Sequence, residues 1–143
     1  MSPTRRSRDS APSVLVVDDY GDGREACVSY LEFTGFRVSE ASTGREALDK
    51  AFADPPEVIL MDLSLPEVDG WECLRRLRAD ERTRGALMIA LTAHALDEYA
   101  RSAREAGADA VVTKPCMFPD LVAEIERGLA KRYPDASPQE ATP

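Results

Sequence analysis

The sequence predicts an α/β fold: a parallel five-stranded sheet with helices packed on both faces. Three observations carry this expectation. Strand and helix signals alternate five times between residues 13 and 131, the links between them are short, and several strand candidates are continuous apolar runs. A strand covered on both faces reads as such a run, whereas a half-solvated strand alternates. Parallel strands joined by short links need right-handed helical crossovers.

Ser13–Val17 (SVLVV) is the first buried strand, followed by a helix from about Asp22 to Thr34 in which Cys27 and Leu31 lie four apart and Gly35 ends the run. Arg37–Ala41 (RVSEA) is polar and alternating, as an edge strand should be. Thr43 and Glu46 have the spacing of a capping box before a helix carrying Ala47, Leu48 and Ala51, which Pro55 and Pro56 close. Val58–Met61 (VILM) is the third strand and runs into a loop containing Pro66 and Gly70. Trp71, Leu74 and Leu77 then mark one side of a third helix. Leu87–Leu91 (LMIAL) is the fourth strand, with a helix from about Asp97 to Ala106 ended by Gly107. Ala110–Val112 is the fifth strand. Pro119 suits a first helical position, and Leu121, Ile125 and Leu129 recur every four residues on the last helix. With the second strand at an edge, the strand order 2-1-3-4-5 of a flavodoxin-like three-layer sandwich fits best.

Residues 1–12 are polar and basic and are expected to form a flexible tail, as are residues 132–143 with Pro134, Pro138 and Pro143. One folded domain, 13–131, lies between them. A formal net charge of -8 argues against nucleic acid as a partner. No apolar run approaches the roughly 20 residues that span a bilayer, and the N-terminus lacks the apolar stretch of a secretory signal. Cys27, Cys73 and Cys116 have no metal-ligand spacing and are expected as free thiols in a reducing, cytoplasmic setting.

In sheets of this type ligands bind beyond the carboxyl ends of the strands, near the reversal in strand order. Here the first strand ends in Asp18-Asp19, the third in Asp62, the fourth in Thr92 and the fifth in Thr113-Lys114. Carboxylates about 5 Å apart repel by roughly 3 kcal/mol at an effective dielectric near 20. Three of them need a counter-charge, and Lys114 supplies only one. The remaining charge suits a hard divalent cation such as Mg²⁺, which takes carboxylates, waters and a phosphate oxygen. A carboxylate oxygen beside that cation can attack phosphorus, with a lysine and a hydroxyl contacting the phosphoryl oxygens.

The segments VLVVDD (14–19), VILMDLSLPEVDGWE (58–72), IALTAHA (89–95) and ADAVVTKP (108–115) resemble, in order and separation, the receiver domain of two-component response regulators. The resemblance spans roughly residues 13–131. It implies that Asp62 is the phosphoacceptor. Asp19 would ligate Mg²⁺ directly, Asp18 mainly through a water, and the backbone carbonyl of Ser64 would complete the protein's ligands. It implies further that Lys114 pairs with the phosphoryl group, that Thr92 hydrogen-bonds it, and that the Lys114-Pro115 peptide is cis. The implied partners are a histidine kinase or phosphotransfer protein upstream and a protein target downstream. The implied activity is that of a stand-alone phosphoaccepting switch, not of a turnover enzyme.

The chain departs from the family pattern at Val111, where an inward-swinging aromatic is usual, and at Cys116, more often large and apolar. Ser64 and His94 stand where the lifetime of the acyl phosphate is commonly tuned. Trp71 is expected to pack half-buried on the sheet, and Arg75, Arg76 and Arg78 to form a solvated helix face. Two other readings compete. A pseudo-receiver that is never phosphorylated draws support from Val111. A haloacid-dehalogenase-type phosphatase would need an Asp-x-Asp after the first strand, and position 20 is Tyr20. A flavin site is disfavoured by the acidic loop DDYGDG.

Overall fold

The computed structural model describes residues 11–65, 68–94, 96–115 and 117–132. The expectations for residues 1–10 and 133–143, and for Pro66 and Cys116, lie outside that set.

The five strands are β1 (Ser13–Val17), β2 (Arg37–Ala41), β3 (Val58–Asp62), β4 (Leu87–Thr92) and β5 (Ala110–Thr113). The helices are α1 (Gly21–Phe33), α2 (Gly44–Ala53), α3 (Gly70–Ala79), α4 (Asp97–Ala106) and α5 (Phe118–Arg132). All strand pairs are parallel, in the order β2-β1-β3-β4-β5. The predicted architecture and order are therefore those observed. Ala11 is already buried, and the carbonyl of Pro12 accepts the Arg37 N–H, so packing begins just ahead of β1.

Alternate residues of the central strands feed two cores. Leu15, Val17, Ile59, Met61, Met88 and Ala90 meet α2, α3 and α4 through Leu48, Leu74, Leu77 and Ala103. Val14, Val16, Val58, Leu60 and Ile89 meet α1 and α5 through Leu31, Leu121 and Ile125. All five residues of β3 are buried, which is why its sequence shows no period of two. Each fully buried leucine or isoleucine contributes about 1.5–3 kcal/mol, so the sheet is held chiefly by these two layers.

Local signals act as expected, with small displacements. The Thr43 side chain caps α2 by accepting the Glu46 N–H at 3.1 Å, but Glu46 reaches back to the N–H of Ser42, one residue before the cap. Pro119 is the second residue of α5 rather than the first. The solvated arginine face on α3 divides. Arg75 and Arg76 are exposed and pair with Glu72. Arg78 instead turns inward, donating to the carbonyls of Gly107 and Ala86 and to Asp109. Gly107 has φ +132°, a left-handed conformation that glycine adopts without the strain of a Cβ, and its carbonyl is thereby presented to Arg78.

Candidate functional site

At the carboxyl edge of the sheet three strand-end side chains repeat one local device. Asp18 Oδ1 accepts the N–H of Tyr20 at 2.9 Å, Asp62 Oδ1 accepts the N–H of Ser64 at 2.9 Å, and Thr92 Oγ1 accepts the N–H of His94 at 3.1 Å. Each strand thus ends in a side chain bonded two residues on, a geometry short polar residues favour over continued strand. The chain leaves the sheet at each point, while the side chain stays at its edge. Asp18, Asp62 and Thr92 are all buried, and Asp19 is exposed.

These turns leave the second carboxylate oxygens aimed at Lys114, which follows β5. Its Nζ lies 3.2 Å from Asp18 Oδ2 and 3.6 Å from Asp62 Oδ2. The Lys114 N–H donates to the carbonyl of Thr92 at 2.7 Å, which continues the sheet pairing past β5, and the Lys114-Pro115 peptide is cis. Asp18, Asp19 and Asp62 each offer one oxygen, and the three atoms lie within 4.8 Å of one another. All donors are hard carboxylate oxygens, so the set fits a divalent cation such as Mg²⁺ and suits a soft thiophilic metal poorly.

The electrostatics are those of a partly buried site that holds several carboxylates. Burial raises the Asp62 pKa. The Ser64 N–H and Lys114 oppose the rise, and the neighbouring Asp18 and Asp19 reinforce it. For Lys114, burial taken alone lowers the pKa, but the charges of Asp62 and Asp18 outweigh it and the net direction is upward. The lysine is thus held as a cation, and with three carboxylates grouped beside it the site keeps a net negative charge.

All the site residues read from the sequence meet at this edge: Asp18, Asp19, Asp62, Ser64, Thr92 and Lys114. Two further residues escaped that reading. A Cβ on Gly70, the first residue of α3, would lie 2.4 Å from the Asp62 carbonyl oxygen and 2.6 Å from Leu63 Cα. Helix α3 therefore seats directly on the end of β3, and only glycine allows the approach. Arg24 on α1 donates to the Asp18 carbonyl at 2.8 Å and to Glu40 at 2.8 Å. Its only sequence signal was an arginine just beyond a glycine-rich turn.

Around the site, Val111 is half-buried and packs on the core shared by α2, α3 and α4. An aromatic series runs from the β4–α4 connection through α4 to α3. His94 and Tyr99 rings lie 4.6 Å apart, and Tyr99 and Trp71 rings 6.2 Å apart. Trp71 packs on the sheet side as expected, and its Nε1 is buried with no hydrogen-bond partner among the described residues. Cys73 is buried and its thiol is pushed up to about 11, first by burial, which leaves it unreactive.

A parallel 2-1-3-4-5 sheet bearing an acidic triad and a lysine at its carboxyl edge is the arrangement expected of a receiver domain. Residues 14–126 match the model of the response regulator receiver domain, and the chain belongs to that family. It is 34% identical over 117 residues to the polar-differentiation response regulator DivK of Brucella ovis, a match covering 82% of this chain and 95% of that one. Its structure is similar to a CheY-like receiver domain protein from Methanospirillum hungatei, with a TM-score of 0.82 and 30% identity over 88% of this chain and 99% of the other. It is similar also to the chemotaxis protein CheY4 of Vibrio cholerae, with a TM-score of 0.79 and 28% identity over 82% and 98%. Among the described residues no helix is long and apolar enough to cross a membrane.

Proposed function

We propose that this chain is a Mg²⁺-dependent receiver that takes a phosphoryl group on Asp62 and signals by changing its protein contacts. One observation carries the reading: Asp62 Oδ2 lies within 3.6 Å of Lys114 Nζ while its carboxylate also completes the acidic triad. Cations beside the phosphoryl oxygens ease attack by an anionic nucleophile, and Lys114 together with an ion at the triad would supply them.

In the proposed step an Asp62 carboxylate oxygen attacks the phosphorus of a phosphohistidine on a kinase or phosphotransfer protein. The new P–O bond forms as the P–N bond breaks, and the imidazole, already protonated by solvent on its other ring nitrogen, leaves as the neutral ring. The Ser64 N–H holds Oδ1 and so fixes the rotation of the attacking group. Lys114 turns its charge from Asp18 and Asp62 toward the phosphoryl oxygens. Thr92 accepts the His94 N–H through Oγ1, which leaves its own O–H proton available to a phosphoryl oxygen. Asp19 and Asp62, with Asp18 and the Ser64 carbonyl, would hold a divalent cation, which would neutralise charge on the transferring group. The step is a single transfer to the protein itself, so the chain acts as a switch rather than as a turnover enzyme.

The family match and the near-complete coverage of DivK and of the CheY-like neighbour support the receiver reading. A cytoplasmic setting, a protein target and no role for nucleic acid follow from that reading and from the net charge of -8. Exposed Tyr20, Leu96 and Met117 stand in the loops after β1, β4 and β5, at the same edge as Asp62, and favour a protein partner there. Acetyl phosphate with Mg²⁺ should label the protein stoichiometrically and leave Asp62→Asn unlabelled. Full labelling of that variant would overturn the assignment. A second reading, an interaction module that is never phosphorylated, is favoured by Val111 alone. Unchanged amide spectra at Asp62, Thr92 and Lys114 on addition of fluoroberyllate would select it.

A further inference from the structure

The helix that follows the acidic pair starts without a side-chain cap. Helix α1 starts after Tyr20, whose side chain makes no capping hydrogen bond, and its first turn contains Gly21 and Gly23. Glycine in a helix loses more backbone freedom on folding than other residues and lowers helix stability by about 0.5–1 kcal/mol relative to alanine. The start of α1 therefore lacks the side-chain cap that Thr43 and Asp69 supply to α2 and α3, and the segment's own side-chain restraint is the Asp18 Oδ1 bond to the Tyr20 N–H.

Arg24 adds a restraint from within the helix. Its side chain is only 17% exposed. Nη1 donates to the Asp18 carbonyl at 2.8 Å, and Nε donates to Glu40 Oε1 on β2 at 2.8 Å. The Asp18 carbonyl belongs to the peptide that joins Asp18 to Asp19, so one bond restrains the backbone of both ligands. On the same residue, the Asp18 N–H donates to the Ala41 carbonyl at 3.1 Å. Asp18 is thus tied to β2 directly through its N–H and indirectly through Arg24 and Glu40. Glu40 also cancels the arginine's charge, which would otherwise oppose a cation at the neighbouring carboxylates.

We infer that Arg24 is a positioning residue that sets the divalent-cation affinity of the pocket by holding the Asp18–Asp19 peptide, with Glu40 as its charge partner. This rests on the reading of the acidic triad as a Mg²⁺ site.

The test is the charge-neutral pair Arg24→Met with Glu40→Gln, because removing Arg24 alone would leave Glu40 unpaired and itself attractive to Mg²⁺. Mg²⁺ is titrated while the amide resonances of residues 18, 19 and 62 are followed. Loss of an outer partner of a metal ligand typically weakens binding by about 10–100-fold, so the dissociation constant should rise at least tenfold. Labelling by acetyl phosphate should fall at low Mg²⁺ and recover as Mg²⁺ is raised, a displacement that general loss of structure does not produce. An unchanged dissociation constant overturns the inference. Should the pair variant not fold, Arg24→Lys, which reaches one partner but not both, decides: an intermediate affinity supports positioning and a wild-type affinity overturns it. If Mg²⁺ does not move the resonances of the unaltered protein, the site reading has failed. If it moves them equally in all three proteins, only the role of Arg24 has.

Discussion

Lys114 Nζ sits between two carboxylates, 3.2 Å from Asp18 Oδ2 and 3.6 Å from Asp62 Oδ2, although the residues come from opposite ends of the chain. Under the proposed function the lysine would serve two ends in turn, pairing with Asp18 and Asp62 and then meeting the phosphoryl group. Lys114→Met should separate them. Labelling by acetyl phosphate should slow by about a hundredfold, the usual effect of removing one transition-state donor. Mg²⁺, freed from a competing cation, should bind more tightly, read from the amide titration. Slower labelling with weaker Mg²⁺ binding would contradict this division of roles.

The raised pKa of Asp62 makes stability depend on pH in a definite direction. Its folded value lies above the ordinary 3.8, with burial the largest cause. The folded state then binds more protons than the unfolded one between those two values. Its contribution to stability is full below 3.8 and is lost as pH rises through the raised value. In EDTA, wild type should lose thermal stability relative to Asp62→Asn on going from about pH 4 to about pH 7, where an ordinary carboxylate is fully ionised. Mg²⁺ should restore it. A constant difference between the two proteins across that range would count against a buried, strained charge.

Gly70 is required by contact rather than by backbone angle. Gly70→Ala puts a methyl group 2.4 Å from the Asp62 carbonyl oxygen, so α3 must move off the end of β3. Overpacking of this kind costs about 1–3 kcal/mol, measurable by urea denaturation. Because the displaced backbone is that of Asp62 itself, labelling should fall as well. Gly85→Ala, where a Cβ meets nothing within 4 Å, should change neither.

Trp71 is the single tryptophan of the chain and reports on the site through two ring contacts. Thr92 Oγ1 holds the His94 N–H, His94 stacks on Tyr99, and Tyr99 lies against Trp71. When Thr92 turns to a phosphoryl group, this series should shift and change the indole emission. Fluoroberyllate should therefore alter Trp71 fluorescence in wild type, and the change should be largely lost in Tyr99→Leu. A full response in that variant would show that the signal leaves by another route, and an absent response in wild type would show that Val111 has uncoupled the site.

The sequence alone determined the layers, the strand order and the identity of the strand-end residues. The reason is that burial on both faces forces continuous apolar runs such as VILM, while the polar residue at which each run stops marks the sheet's edge. The same logic reached Asp18, Asp62, Thr92 and Lys114 because each lies one step from a legible strand end. What the tertiary structure alone decided are contacts between residues with no shared periodicity. Arg78 was read as solvated beside Arg75 and Arg76, yet Gly107 and Asp109, 29 and 31 residues later, draw it inward. Gly70 looked like a loop glycine until β3 and α3 were packed together. Arg24 carried no motif because its partners, a backbone carbonyl and Glu40, become neighbours only when β2 lies beside β1. Local pattern records which side of an element faces the core. Which distant groups then meet across that core depends on the packing of whole elements, and that information is spread too thinly along the chain to be read from any one segment.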